Sequence, residues 1–110
     1  MITDILTAAG VKHRRARFPE PPAEVYAVYT DYITVYAPDP VAPSLSAGPP
    51  RVYFHDVTVE LYEPTPSDDV EAAIEAEISA RGLAWTKQDR YWLQEVQRYQ
   101  VIYELSYITK

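Results

Sequence analysis

The sequence contains no cysteine, which excludes a disulfide framework, a thiolate zinc site and a cysteine nucleophile and fits a reducing compartment. Glycine is nearly as scarce, with isolated residues at Gly10, Gly48 and Gly82, so there is no glycine-rich loop to cradle a phosphate. Imidazole is limited to His13 and His55. No apolar run approaches the ~20 residues that cross a bilayer, and the opening MITDILTAAG is too short and polar for the apolar core of a secretion signal. The expectation is a soluble chain, cytoplasmic where it is made. Positive charge is in deficit: ten Lys and Arg face sixteen Asp and Glu, for a net charge of -6 and a pI near 4.8. The average field repels phosphate, which argues against non-specific binding to nucleic acid or to an anionic membrane.

What is present points to a packed domain. With 110 residues, 47% of them hydrophobic, one compact unit over residues 1–110 buries well over ~60% of its unfolded surface. Tyrosine stands out, with ten residues against two Phe and two Trp. A tyrosine ring buries apolar area while its hydroxyl needs a partner or water, which suits half-buried sheets and protein interfaces.

Periodicity gives the elements. Ile2, Ile5, Leu6 and Ala9 recur at helical spacing, and Gly10 sits where a C-terminal cap belongs, so a short first helix is expected. VKHRRARF reads as a strand with Val11, His13, Arg15 and Arg17 on one face, ended by PEPP. Val25 to Tyr36 is rich in β-branched and aromatic residues and reads as one long or two short strands. Ala37 to Pro50 holds five prolines and cannot donate a ladder of N–H groups, so residues 37–50 are expected to form an exposed loop and a candidate contact arm.

From Phe54 onward the alternation resumes, with Val57, Val59 and Leu61 on one face and Asp56, Thr58 and Glu60 on the other. PTPSDD then starts a helix, either with Thr65 as N-cap and Pro66 in the first helical position or with Ser67 one step later. Val70, Ala73, Ile74 and Ile78 form its apolar stripe, with Asp69, Glu71, Glu75 and Ser79 expected on the opposite side. Arg81 falls in its last turn and Gly82 closes it. LAWTKQDRYWLQ and EVQRYQVIYELSYIT read as two further strands, the second placing Tyr99, Val101, Tyr103, Leu105 and Tyr107 on one face. The expected fold class is α+β, a mostly antiparallel β-sheet carrying a short N-terminal helix and one longer amphipathic helix.

Candidate chemistry is sparse. His55 and Asp56 are neighbours in a strand and point to opposite faces, so they cannot converge on one atom, and both histidines read as structural. Glu71 and Glu75, one turn apart, could hold a cation but read as a solvated helix face. No catalytic pair, metal site or cofactor is expected. The concentrated charge is Lys12, Arg14, Arg15 and Arg17. It suits docking onto an acidic neighbour or a solvated strand face, with packaged DNA a weaker reading. A basic strand and an acidic helix on one small domain suit head-to-tail contact, which closes into rings when the rotation permits.

The order of features resembles the small tail completion or tail terminator proteins of long-tailed bacteriophages and prophages. The resembling stretches are the short helix ending in AAGV, the strand leading to ARFPEPP and YAVY, VTVELYEPTPSDDVEAAIEAEI, and the closing GLAWTKQDRYWLQEVQRYQVIYELSYITK. The resemblance covers nearly the whole chain as a pattern of order and spacing, and departs at YAPDPVAPSLSAGPP, where Asp39-Pro40 replaces the family's frequent Asp-Asn step. It implies a non-catalytic subunit that assembles, often as a hexameric ring, on the head-proximal end of the tail tube, in the host cytoplasm during assembly and then in the virion neck. The implied partners are further copies of the chain, the tail tube protein and the head connector, with no membrane and no sequence-specific nucleic acid. Charge and exposure nominate Lys12, Arg14, Arg15, Arg17, Asp39, Glu71 and Glu75 as contact residues. Alternatives are another neck component, such as a head-tail connector or head-closure protein, and a small bacterial ligand-binding or regulatory domain with tyrosines lining its pocket.

Overall fold

The computed structural model describes residues 1–36 and 51–109. Helix α1 (Ile2–Ala8) leads to strand β1 (Lys12–Arg15), then β2 (Tyr26–Tyr36), β3 (Val52–Glu63), helix α2 (Asp68–Ala80), β4 (Trp85–Lys87), β5 (Tyr91–Leu93) and β6 (Arg98–Thr109). The strands form one six-stranded sheet in the order β1-β2-β3-β6-β4, with β5 also paired to β6. The class is α+β, as the alternation and the two amphipathic segments predict.

The long strands carry the sheet. β2 pairs antiparallel with β3 from Tyr26↔Tyr62 to Tyr36↔Val52, and β3 with β6 from Glu63↔Tyr99 to Tyr53↔Thr109. The segment 25–36 is therefore one long strand, beginning at Tyr26. Val57, Val59 and Leu61 face the helices beside Val101, Tyr103 and Leu105, and all are buried. Ile2, Ile5 and Leu6 of α1 and Ile74 and Ile78 of α2 close this core. Burial of each such aliphatic side chain contributes about 1.5–3 kcal/mol.

Both helices end on a glycine in the left-handed region, Gly10 at φ +75° and Gly82 at φ +70°, a conformation that costs a residue with a Cβ. At the other end of α2 the helix starts at Asp68 with Ser67 as N-cap, so Pro66 precedes the helix instead of opening it. The Ser67 hydroxyl donates to the Thr65 carbonyl, and it is the Ser67 backbone N–H that finds a carboxylate, Glu63 Oε2 at 3.1 Å.

The sequence left the pairing of β1 open, and two expectations about the strands are corrected. β1 joins the sheet parallel to β2, from Lys12↔Tyr26 to Arg15↔Tyr29, because the proline-rich segment 16–25 carries the chain back to its starting level before β2 begins. Arg17 lies outside the strand: Ala16 takes φ +68° and turns the backbone, closed by Arg17 N–H to Arg15 O at 2.8 Å. The expected single strand over LAWTKQDRYWLQ is two short ones, β4 on Tyr103–Leu105 and β5 on Arg98–Gln100. Gln88 N–H closes the first onto Ile102 O at 2.9 Å, and Arg90 then turns inward to an acidic cluster.

The helices cover only part of the sheet. Beyond them, residues 30–36 of β2, 52–56 of β3 and 106–109 of β6 continue as a three-stranded arm, and the molecule measures 57 × 29 × 21 Å.

Candidate functional site

The nominated contact residues fall into two groups with different surroundings. On β1, the sheet edge, Lys12, Arg14 and Arg15 are exposed, and Arg17 is exposed in the turn that follows. Lys12 pairs with Glu24 at 2.6 Å in a solvated contact, worth little to stability. His13 is tied locally, its Nδ1 lying 2.9 Å from Val11 O. The basic strand is thus a charged lateral edge, held in place by its parallel pairing and by Ala16 N–H to Tyr29 O at 2.9 Å. Asp39 lies outside the described residues, as does the proline-rich stretch 37–50.

The two nominated acids of α2, Glu71 and Glu75, are not a free face. Glu71, expected on the solvent side, is buried and receives Lys87 Nζ at 2.8 Å and Arg90 Nη2. Arg90 also bonds the fully buried Glu63 through Nε at 3.1 Å and the exposed Asp68 through Nη2 at 2.6 Å. Glu75 is half-buried, accepting from Lys87 at 2.9 Å and from the Tyr103 hydroxyl at 2.7 Å, and Lys87 lies over the Tyr103 ring. This network ties α2 to the end of β3 and to the β4–β5 turn. Its reason is geometric: Glu71 sits one residue after Val70 and three before Ile74, at the border of the apolar stripe. A sequence reading that sorts charge outward misses it, because Lys87 and Arg90 arrive from a distant turn.

Electrostatics inside the network separates its two buried carboxyls. Burial, then the adjacent Glu71 carboxylate, push Glu63 up to about 7 against the lowering effect of Arg90. Burial acts upward on Glu71 too, but hydrogen bonds from Lys87 and Arg90 outweigh it and hold Glu71 below the usual carboxylate range. Burial and the bond to Glu75 push the Tyr103 hydroxyl up. On the helix-free face a second polar cluster forms, in which the Tyr62 hydroxyl donates to Glu60 at 2.6 Å and accepts from Gln100 at 3.0 Å. Burial first, and Glu60 second, raise Tyr62.

His55 finds an acid that adjacency in sequence does not reveal. Its Nδ1 lies 3.0 Å from Asp31 Oδ2, across the β2–β3 pair, its Nε2 lies 3.0 Å from Thr109 Oγ1, and its ring stacks on Tyr107 at 4.4 Å. Hydroxyl, imidazole and carboxylate follow one another as in an acyl-transfer relay, but all three stand on one sheet face. Strand N–H groups lie in the plane of the sheet and do not converge above the Thr109 hydroxyl, where an oxyanion would need them. The cluster pins the three strands of the arm together.

Sequence reasoning also leaves out the apolar surface of that arm. Tyr32 is 72% exposed, and Tyr36 and Ile108 are each 58% exposed, with Ile33, Val35 and Phe54 also open to solvent. Their β-branched and aromatic character is the ordinary signature of a strand, so composition alone does not distinguish this wet end from the buried end.

No protein-family description matches the chain, and no curated protein matches it. Among solved structures, the fold resembles a chain of the virion of a native gene transfer agent particle, with a TM-score of 0.50 and 15% sequence identity over 93% of this chain and 82% of that one.

Proposed function

We propose that the chain is a structural subunit of a phage-like virion that caps the head-proximal end of a tail tube and helps to join tail to head, without catalysing a reaction. The observation that carries this reading is the fold likeness, over nearly the full length of both chains, to a component of a gene transfer agent virion. The sequence order that resembles tail completion proteins supports the tail-end position within such a particle. A basic lateral edge, an apolar arm and the elongated 57 Å shape support a role carried by surfaces. On this reading subunits contact head to tail in a homo-oligomeric ring, the hexamer being the state the resemblance implies, with the tail tube and the head connector on the ring's two sides.

The body of the subunit is built by Val57, Val59, Leu61, Ile74 and Ile78, and contact falls to Lys12, Arg14, Arg15 and Arg17. Glu71 is committed to Lys87 and Arg90 inside the subunit and drops out of the contact set.

Deletion of the gene from its phage or prophage, with negative-stain electron microscopy of the induced lysate, tests the role. The expected result is overlong or unattached tails beside DNA-filled heads. Tails of normal length with heads that leak DNA would move the chain to the head side of the neck, and normal virions would overturn the structural reading.

A further inference from the structure

Among the described residues, the arm has two edges without a paired strand. The phase of the hydrogen bonding shows which groups line them: Tyr29 O accepts from Ala16 N–H on the outer side of β2, so by strict alternation the N–H and C=O groups of Asp31, Ile33 and Val35 point outward too. β1 ends before reaching them, and among the described residues no strand pairs with this stretch. On β6, Ile102 O accepts from Gln88 N–H, so the outward groups farther along are those of Ser106 and Ile108, beyond the last β4 pair at Trp85↔Leu105. A groove of about 440 Å³, lined in part by Leu83, Ala84, Tyr107 and Ile108, runs beside that edge.

An open edge with apolar side chains on both faces and no Lys or Pro to block it is a template for another strand. The exposed part of β2 reads Tyr32-Ile33-Thr34-Val35-Tyr36, and that of β6 reads Ser106-Tyr107-Ile108-Thr109. Both stretches are uncharged. We infer that a second copy of this chain supplies the missing strand, the free edge of β2 in one subunit pairing with the free edge of β6 in the next, so that the arms join into one continuous intersubunit sheet. The inference rests on the self-assembly reading above and gives it a specific surface.

Two observations favour this partner over a two-fold pair of β2 edges. A two-fold contact covers β2 twice and leaves Ser106 and Ile108 open on both copies, whereas the head-to-tail contact satisfies both edges with one repeated interface. Charge agrees: basic β1 flanks the β2 edge, while on the β6 side α2, with exposed Asp68 and Asp69, leans over β4 through Glu75 and Lys87. In a ring whose axis runs along the arm, β6 and the neighbour's β2 point the same way, so the new pair is parallel, like β1 with β2.

The cysteine-free sequence makes the test direct. Thr34, Ser106 and Ile108 lie on the same sheet face, opposite to His55 and Tyr107. Full-length Thr34→Cys/Ile108→Cys and Thr34→Cys/Ser106→Cys variants, oxidised at high protein concentration, should give a ladder extending beyond the dimer on a non-reducing gel that collapses on reduction, and the single variants should give none. Ile33→Pro removes one outward N–H without breaking a bond to β3, and should leave the circular dichroism spectrum unchanged while lowering assembly at least tenfold in concentration. A covalent dimer from Thr34→Cys alone would replace the inference with a two-fold β2 contact. Oligomers without a link in either double variant, or a chain that stays monomeric at millimolar concentration, would overturn the edge pairing, and the lysate phenotype would judge the tail-end role separately.

Discussion

Glu63 brings a carboxyl to a fully buried position at the end of β3, beside Glu71 and against one guanidinium. Its pKa is raised from 4.5 to about 7, so between those values the folded chain holds a proton that the unfolded chain has released. Stability on this account falls as pH rises through that window. Glu63→Gln, neutral throughout, should flatten the dependence and melt higher than the parent at pH 8, with a difference on the order of 2 kcal/mol at about 1.4 kcal/mol per unit. Thermal melts of both proteins from pH 5 to pH 8 check this. Glu71 acts in the opposite sense: its lowered pKa contributes stability above the ordinary carboxylate range, and that contribution is lost as pH falls. Glu71→Ala leaves Lys87 and Arg90 partly stripped of their counter-charge and should cost about 2 kcal/mol by urea denaturation, whereas Glu75→Ala, in a more open position, should cost less.

At the scale of elements, the helix ends carry their own test. Nothing lies within 4 Å of a Cβ added at Gly82, so Gly82→Ala should report only the strain of φ +70°, about 1 kcal/mol, seen as a drop of roughly 4 °C in Tm. These ends, the α2 stripe and the alternation of Val57, Val59 and Leu61 were legible in the sequence because each rests on local spacing. What was not legible rests on pairing at a distance. The parallel placement of β1 depends on where Pro19, Pro21 and Pro22 return the chain. The split between β4 and β5 depends on Arg90 meeting Glu63, Asp68 and Glu71. Lys12, Arg14, Arg15 and Arg17 could be picked out as exposed charge, since no apolar period claims them. Glu71 was misplaced, because its burial is compensated by residues sixteen and nineteen positions later, and a helical wheel contains neither.

For the whole molecule, length is the property that separates this chain from an ordinary small domain. Its radius of gyration is 17.2 Å, against about 13 Å for a compact chain of this size, in keeping with its 57 Å long axis. Reversing the charge of Arg14, Arg15 and Arg17 to Glu should leave the melting curve within about 0.5 kcal/mol of the parent, since these groups are exposed. Tail capping should weaken in complementation of the deleted gene, and a triple variant that caps tails normally would remove the basic edge from the contact set. The order of the elements has a consequence in time as well. β3 lies between β2 and β6, and β6 comes last in the element order, after α2, β4 and β5. During synthesis the β3 edge of the β2–β3 pair therefore waits without its partner until β6 is made. Closing the sheet requires a long loop to form first, which places folding among the slower, non-local cases. Until β6 pairs with it, that edge is a template for strands of other chains.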